Sequence, residues 1–140
     1  VKLFDRSRLP WARTTSRWFL GPNHIGSYMS RWYLQTPWFT VRLHHILRSD
    51  EARALHDHPW DFWSLLLTGG YTEITPTGTR RWPWCSLVRR RAEDLHRLVL
   101  DRPVWTLVWT GPRRRSWGFL VDGQWIYWRN VQAQWAGGAP

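Results

Sequence analysis

From residue 28 onward the chain is cut into short runs, and none of them keeps a helical period for long. Gly69-Gly70, Pro76-Thr77-Gly78, Asp101-Arg102-Pro103, Gly111-Pro112 and Asp122-Gly123 stand between the runs. Glycine admits positive φ, and proline fixes φ and removes a backbone donor, so such clusters mark turns. The runs themselves are rich in aromatic and β-branched residues, which suit a pleated, half-buried surface. They cover 28–34, 38–47, 62–67, 71–75, 80–90, 95–100, 104–110, 116–121 and 124–128. Pro83 interrupts 80–90 and predicts an edge, a bulge or two strands there. About ten short strands separated by turns predict an all-β fold, an antiparallel sandwich or barrel.

A chain of 140 residues with 43% hydrophobic content and 14 Trp has enough apolar area for one core. Residues 1–27 mix Arg, Pro and Trp without a steady period and read as an irregular arm. The domain proper spans 28–135, and 136–140, with Gly137-Gly138, reads as a frayed tail. Segment 49–54 has the makings of one capped turn but is short, and reads as a loop delivering the chain to His56. Within 38–47, Val41, Leu43, His45 and Leu47 share one face, while Arg42, His44, Ile46 and Arg48 share the other. The first set is the more apolar, so the expectation is that His45 looks inward.

No apolar stretch approaches the roughly 18 residues that span a bilayer. Asp5, Arg6 and Arg8 stand where a secretory segment would be apolar. The single Cys85 has no intrachain partner, which fits a reducing compartment. The expectation is a cytoplasmic protein without a membrane partner. The net charge is +10, and Lys2 is the only lysine. Arg80-Arg81, Arg89-Arg90-Arg91 and Arg113-Arg114-Arg115 are arginine clusters able to neutralise the phosphates of a nucleic acid or another anionic partner. Solvated charge near turns is the plainer account. The chain has no phosphate loop, no dinucleotide fingerprint and no nucleophile elbow.

Chemistry concentrates at His56-Asp57-His58-Pro59-Trp60-Asp61-Phe62. Residues i and i+2 of a strand point to one face, so His56 and His58 present two imidazoles to one point, as a transition-metal site requires. Six histidines are present. Of the other four, His96, in the strand-like 95–98, is the natural third ligand, arriving from a different strand across the barrel. His45 is a candidate for the supporting layer that orients a ligand. Arg97 is placed either to bind a substrate carboxylate bidentately or to pair with Asp94 or Glu93.

These residues match a family. His56-x-His58, three residues, Phe62, six residues and Gly69 resembles the first sequence motif of the cupins, which is His-x-His, three or four residues, Glu, six residues, Gly. The wider string 55–62, with 69–73 and Trp117-Gly118-Phe119, resembles small uncharacterised cupin proteins of actinobacteria and their phages. The resemblance implies a double-stranded β-helix with a metal on His56, His58 and His96. It implies Fe(II) first, with Zn, Ni or Mn as alternatives, and homodimers are common in the family. Phe62 stands where many cupins carry a metal-binding Glu. That departure resembles the three-histidine thiol dioxygenases, whose metal keeps open positions for substrate and O2. Asp61, one residue before the Glu position, is a further ligand candidate if Pro59 introduces a bulge. The second motif usually reads Pro-x-Gly-x-x-His, whereas Arg91 and Glu93 stand at those offsets before His96. The resemblance thus implies a metal-dependent dioxygenase acting on a small molecule. The alternatives are a non-catalytic ligand-binding or structural protein with a structural metal (virion-associated if phage-encoded) and a nucleic-acid-associated basic protein.

Overall fold

The computed structural model describes residues 19–22, 25, 28–50 and 54–131. Most of the expected arm, and all of the expected tail, lie outside them. In chain order the strands are β1 (Phe19–Pro22), β2 (Met29–Gln35), β3 (Thr40–Ile46), β4 (Leu55–His56), β5 (Phe62–Leu66) and β6 (Gly70–Thr75). They continue with β7 (Gly78–Pro83), β8 (Leu87–Arg90), β9 (Arg97–Val99), β10 (Val104–Thr110), β11 (Gly118–Val121) and β12 (Gln124–Tyr127). One sheet has the order β1-β2-β3-β10-β5-β8, and two smaller ones the orders β7-β6-β9 and β12-β11-β4. Every registered pair is antiparallel. The all-β expectation holds.

The central strand β10 shows how sequence sets the faces. Val104, Thr106, Val108 and Thr110 are buried, and the residues between them are only partly so. Register carries this polarity outward: Val104 faces Ile46, Thr106 faces both His44 and Leu66, and Val108 faces Arg42 and Ser64. Leu66, Tyr71, Val88 and Val104 form the core, with Trp82, Leu98 and Leu100 packed against them. Each such side chain, fully buried, contributes about 1.5–3 kcal/mol.

That register corrects one expectation. Arg42, His44 and Ile46 point inward on β3, and Val41, Leu43 and His45 point outward. The outer face of the sheet is itself apolar, with Trp32, Trp63, Leu67 and Leu87 all exposed. Hydrophobicity along β3 therefore does not mark the inside. His45 stacks on Trp105 with ring centroids 4.2 Å apart, and Trp105 stacks in turn on Trp32.

Two further differences concern short elements. The segment read as an irregular arm contains β1, which pairs with β2 along its whole length. The run 80–90 is two strands, divided after Pro83 by a turn in which Cys85 takes φ 65°. The motif glycine, Gly69, also lies in the left-handed region, at φ 67° between β5 and β6.

Gly118 is required for closeness rather than for its dihedral angles. Its N–H donates to Asp57 Oδ1 at 2.7 Å, and a Cβ there would lie 2.2 Å from the Ile126 carbonyl oxygen. Gly118→Ala must push β12 off β11. We expect a loss of about 1–3 kcal/mol in urea unfolding; an unchanged midpoint would contradict this packing.

Candidate metal centre

The two-residue strand β4 carries His56 between two neighbours. On one side it pairs with Phe119 of β11. On the other it meets His96 in an isolated antiparallel bridge. There the His56 N–H donates to the His96 carbonyl at 2.9 Å, and the His96 N–H returns a bond to His56 at 2.9 Å. His96 thus arrives from the adjacent backbone rather than from across the barrel. The His58 N–H donates to the Ala92 carbonyl at 3.0 Å, which fixes the second histidine against the same segment.

Asp57, between them, faces the other way and is 1% exposed. Its carboxylate accepts from Arg115, from the Gly118 N–H at 2.7 Å and from Trp125 Nε1 at 2.8 Å. The alternation that separates Asp57 from its neighbours is what leaves both imidazoles free to converge.

The three imidazole centroids lie 5.2, 5.0 and 5.0 Å apart, a nearly equilateral triangle. One ring nitrogen from each lies within 4.8 Å of the others, and among the described residues this is the one such group of potential ligands. His58 Nε2 and His96 Nε2 are 2.8 Å apart. Two imidazole nitrogens sharing an ion at 2.0–2.1 Å sit about 3.0–3.4 Å apart, so the donor set fits a transition metal with a small relaxation.

Burial holds two of these rings neutral, which is the ligand form. It pushes His56 down to about 4, against the pull of Asp50, whose Oδ2 lies 3.9 Å from His56 Nδ1. It pushes His58 well below the usual histidine range, and the neighbouring imidazoles add to the effect.

His96 is oriented by Glu73, a residue the sequence reading did not single out as functional. His96 Nδ1 donates to Glu73 Oε1 at 2.6 Å, leaving the Nε2 lone pair turned to the other two rings. A carboxylate behind a ligand histidine fixes its tautomer and raises its basicity. Glu73 is 1% exposed. It also accepts from Trp82 Nε1 at 2.8 Å and from Arg90 through two nitrogens. Burial alone would raise its pKa, but the bonds from His96 and Arg90 outweigh that and hold it at about 2.

Phe62, at the motif position for Glu, is buried, with its ring centroid 4.8 Å from His58 and 6.1 Å from His96. Phe119 lies 6.0 Å from His56. The cluster therefore has aromatic walls. Asp61 is not brought into it: its two oxygens accept from Arg114 Nη1 at 2.6 and 2.7 Å, and Oδ1 also accepts from the Ala92 N–H. His45 lies on the outer face. Arg97 opens β9 directly after His96 and lies opposite Ile74, whereas Leu98 lies opposite Glu73, so alternation turns Arg97 away from the cluster. Asp94 accepts from the Arg91 N–H, and Glu93 pairs with Arg114.

The arginine clusters are partly built into the fold. Arg81 pairs with Asp101, Arg90 with Glu73, Arg114 with Asp61 and Arg115 with Asp57.

No protein-family model and no curated protein matches the chain. Solved structures do match. An RmlC-like cupin from Shewanella frigidimarina NCIMB 400 aligns with TM-score 0.55 at 12% identity, over 69% of this chain and 86% of that one. The chain has the cupin fold. A second match is to KdgF from Halomonas sp., at TM-score 0.55 and 15% identity, covering 67% and 87% of the two chains. The polyketide cyclase RemF from Streptomyces resistomycificus aligns over 94% and 93%, at TM-score 0.61 and 14% identity. At such identities the likeness fixes the double-stranded β-helix and leaves the chemistry to the residues inside it. Among the described residues no helix is long and apolar enough to cross a membrane.

Proposed function

We propose that this cupin holds a divalent transition metal on His56, His58 and His96, with Fe(II) favoured over Zn, Ni and Mn, and acts as a metal-dependent oxygenase on a small molecule. One observation carries the reading: three imidazoles converge on one point, and the residue beside them at the motif's Glu position is the apolar Phe62. A bound Fe(II) would supply a Lewis-acidic, redox-active centre with positions left over for other ligands. The chain's own residues do the rest. His56, His58 and His96 hold the ion, Glu73 keeps the proton on His96 Nδ1, and Phe62 and Phe119 exclude water. The polyketide cyclase among the structural likenesses supports a small molecule rather than a macromolecule as substrate.

Elemental analysis of the purified protein tests the reading. We expect close to one transition metal per chain, lost in His56→Ala and His96→Ala, and O2 uptake with small thiols or acids. A metal-free protein that takes up no metal on reconstitution would sink it. A second reading, a structural metal in a non-catalytic cupin, draws on one feature. Two surface depressions open elsewhere, one along 47–50 and 100–103, the other at Phe39, Val41, Leu107 and Trp109, and neither is lined by a histidine. Stoichiometric metal without O2 uptake would favour it.

A further inference from the structure

The inward face of the large sheet carries polar groups that the three-histidine centre does not use. His44 on β3 lies directly opposite Arg31 on β2 and Thr106 on β10. Side chains paired across strands in this way have Cβ atoms about 5 Å apart, so the three make one row. His44 Nε2 and Thr106 Oγ1 are both buried, and no hydrogen bond reaches either. Thr106 is 1% exposed. More than nine in ten buried polar groups find a partner. Two that do not stand side by side on the inward face, with hydrogen bonds left to offer to a bound group.

The local potential says what kind of group. Burial keeps His44 neutral, at about 3, and the charges of Arg31 and Arg42 push it the same way. Trp60, the ring beneath Arg42, stands two residues after His58 in the chain. Arg42, two residues along β3, donates from Nη1 to Thr110 at 2.7 Å and lies 4.3 Å over the Trp60 ring, which fixes its place. A water would satisfy the two hydrogen bonds. Arg31, opposite His44, and Arg42, on the same face of β3, are the cationic groups beside the row, and cationic surroundings favour an anion over a water.

We propose that the row is an oxyanion subsite. The carboxylate or phosphate of a small acid accepts hydrogen bonds from His44 Nε2–H and Thr106 Oγ1–H, in the field of Arg31 and Arg42, and the rest of the molecule extends toward the three histidines. This names the substrate class of the cupin interior, and it rests on the metal reading only for the direction of that extension. It also moves substrate recognition from Arg97, on β9, to the inner face of β3 and β10.

Calorimetric titration with succinate and, separately, with inorganic phosphate tests it, on both metal-loaded and metal-free protein. We expect saturable binding of at least one anion, and the arm that binds identifies the headgroup. Thr106→Val keeps the shape and removes the hydroxyl; it should weaken binding about tenfold while metal content stays unchanged. In the unaltered protein labelled with 15N-histidine, saturation should shift the His44 Nε2 resonance, a readout that needs no variant. Binding of neither anion, equal binding by Thr106→Val, or an unmoved His44 resonance would each overturn the proposal. A chain that binds the anion but no metal would refute only the metal reading, so the two fail separately.

Discussion

Replacing Glu73 with alanine is expected to destabilise the fold by about 3–5 kcal/mol, because it leaves the inner Arg90 charge unpaired. The same change should weaken metal binding roughly 10–100-fold, the usual loss when the partner behind a ligand histidine is removed. Both effects come from one carboxylate. Glu73 is the acceptor for His96 Nδ1, Trp82 Nε1 and the Arg90 guanidinium together. Without it, His96 can turn or protonate the wrong nitrogen, and the guanidinium keeps its charge with less to offset it. Glu73→Gln separates the two roles. The amide oxygen can still accept from Nδ1, so metal affinity should fall less than in the alanine variant, while much of the stability loss from Arg90 persists. Urea unfolding of the metal-free protein and competitive metal titration measure the two quantities independently. If Glu73→Ala unfolds within 1 kcal/mol of the parent, the carboxylate is not the keystone that its contacts describe.

The second large effect is acid sensitivity. His44 and His56 are held at about 3 and about 4, and His58 well below its ordinary value. In the unfolded chain each titrates near 6.5. Below that pH the unfolded state binds protons that the folded state refuses, so stability falls as pH falls. Each of the three contributes a slope of up to about 1.4 kcal/mol per pH unit, and together about 4 kcal/mol, between 6.5 and the folded pKa values. Glu73, held at about 2, opposes folding loss above pH 4.5 and withdraws that support only as pH drops further. The metal-free protein should therefore lose most of its stability between pH 6.5 and 4. Bound metal should delay the transition, because it stabilises the deprotonated imidazoles. Thermal melts across this range, with and without metal, decide the matter; a melting temperature flat from pH 6.5 to 4 would mean the imidazoles are not buried neutral.

Part of this was legible in the residue string. His56 and His58 were found by their spacing and Gly69 by its motif position, because local geometry alone makes such patterns meaningful. His96 followed from its strand setting, although its neighbour turned out to be β4 itself. Glu73 escaped because a carboxylate is by default a surface residue. The available signal was its place in β6: it alternates with Thr72 and Ile74 and shares a face with the buried Tyr71. The inversion of β3 has a similar cause. When both faces of a sheet are rich in Trp and Leu, the polar face can be the inner one, and only the partner strand's register tells which. The strand expected to carry both His56 and His58 is only the two residues of β4, Leu55–His56, and His58 lies just past its end, because so short an element shows no period that would fix its bounds.

The tie between Asp57 and the last hairpin has a consequence for the order of assembly. The aspartate's donors are Arg115, Gly118 and Trp125, which follow it by 58, 61 and 68 residues. Closing so long a loop is entropically slow and comes late. On the ribosome the two neighbouring histidines emerge well before the groups that aim them. The emerging chain can offer imidazoles to any passing ion, but a rigid, selective triad exists only once β11 and β12 have docked.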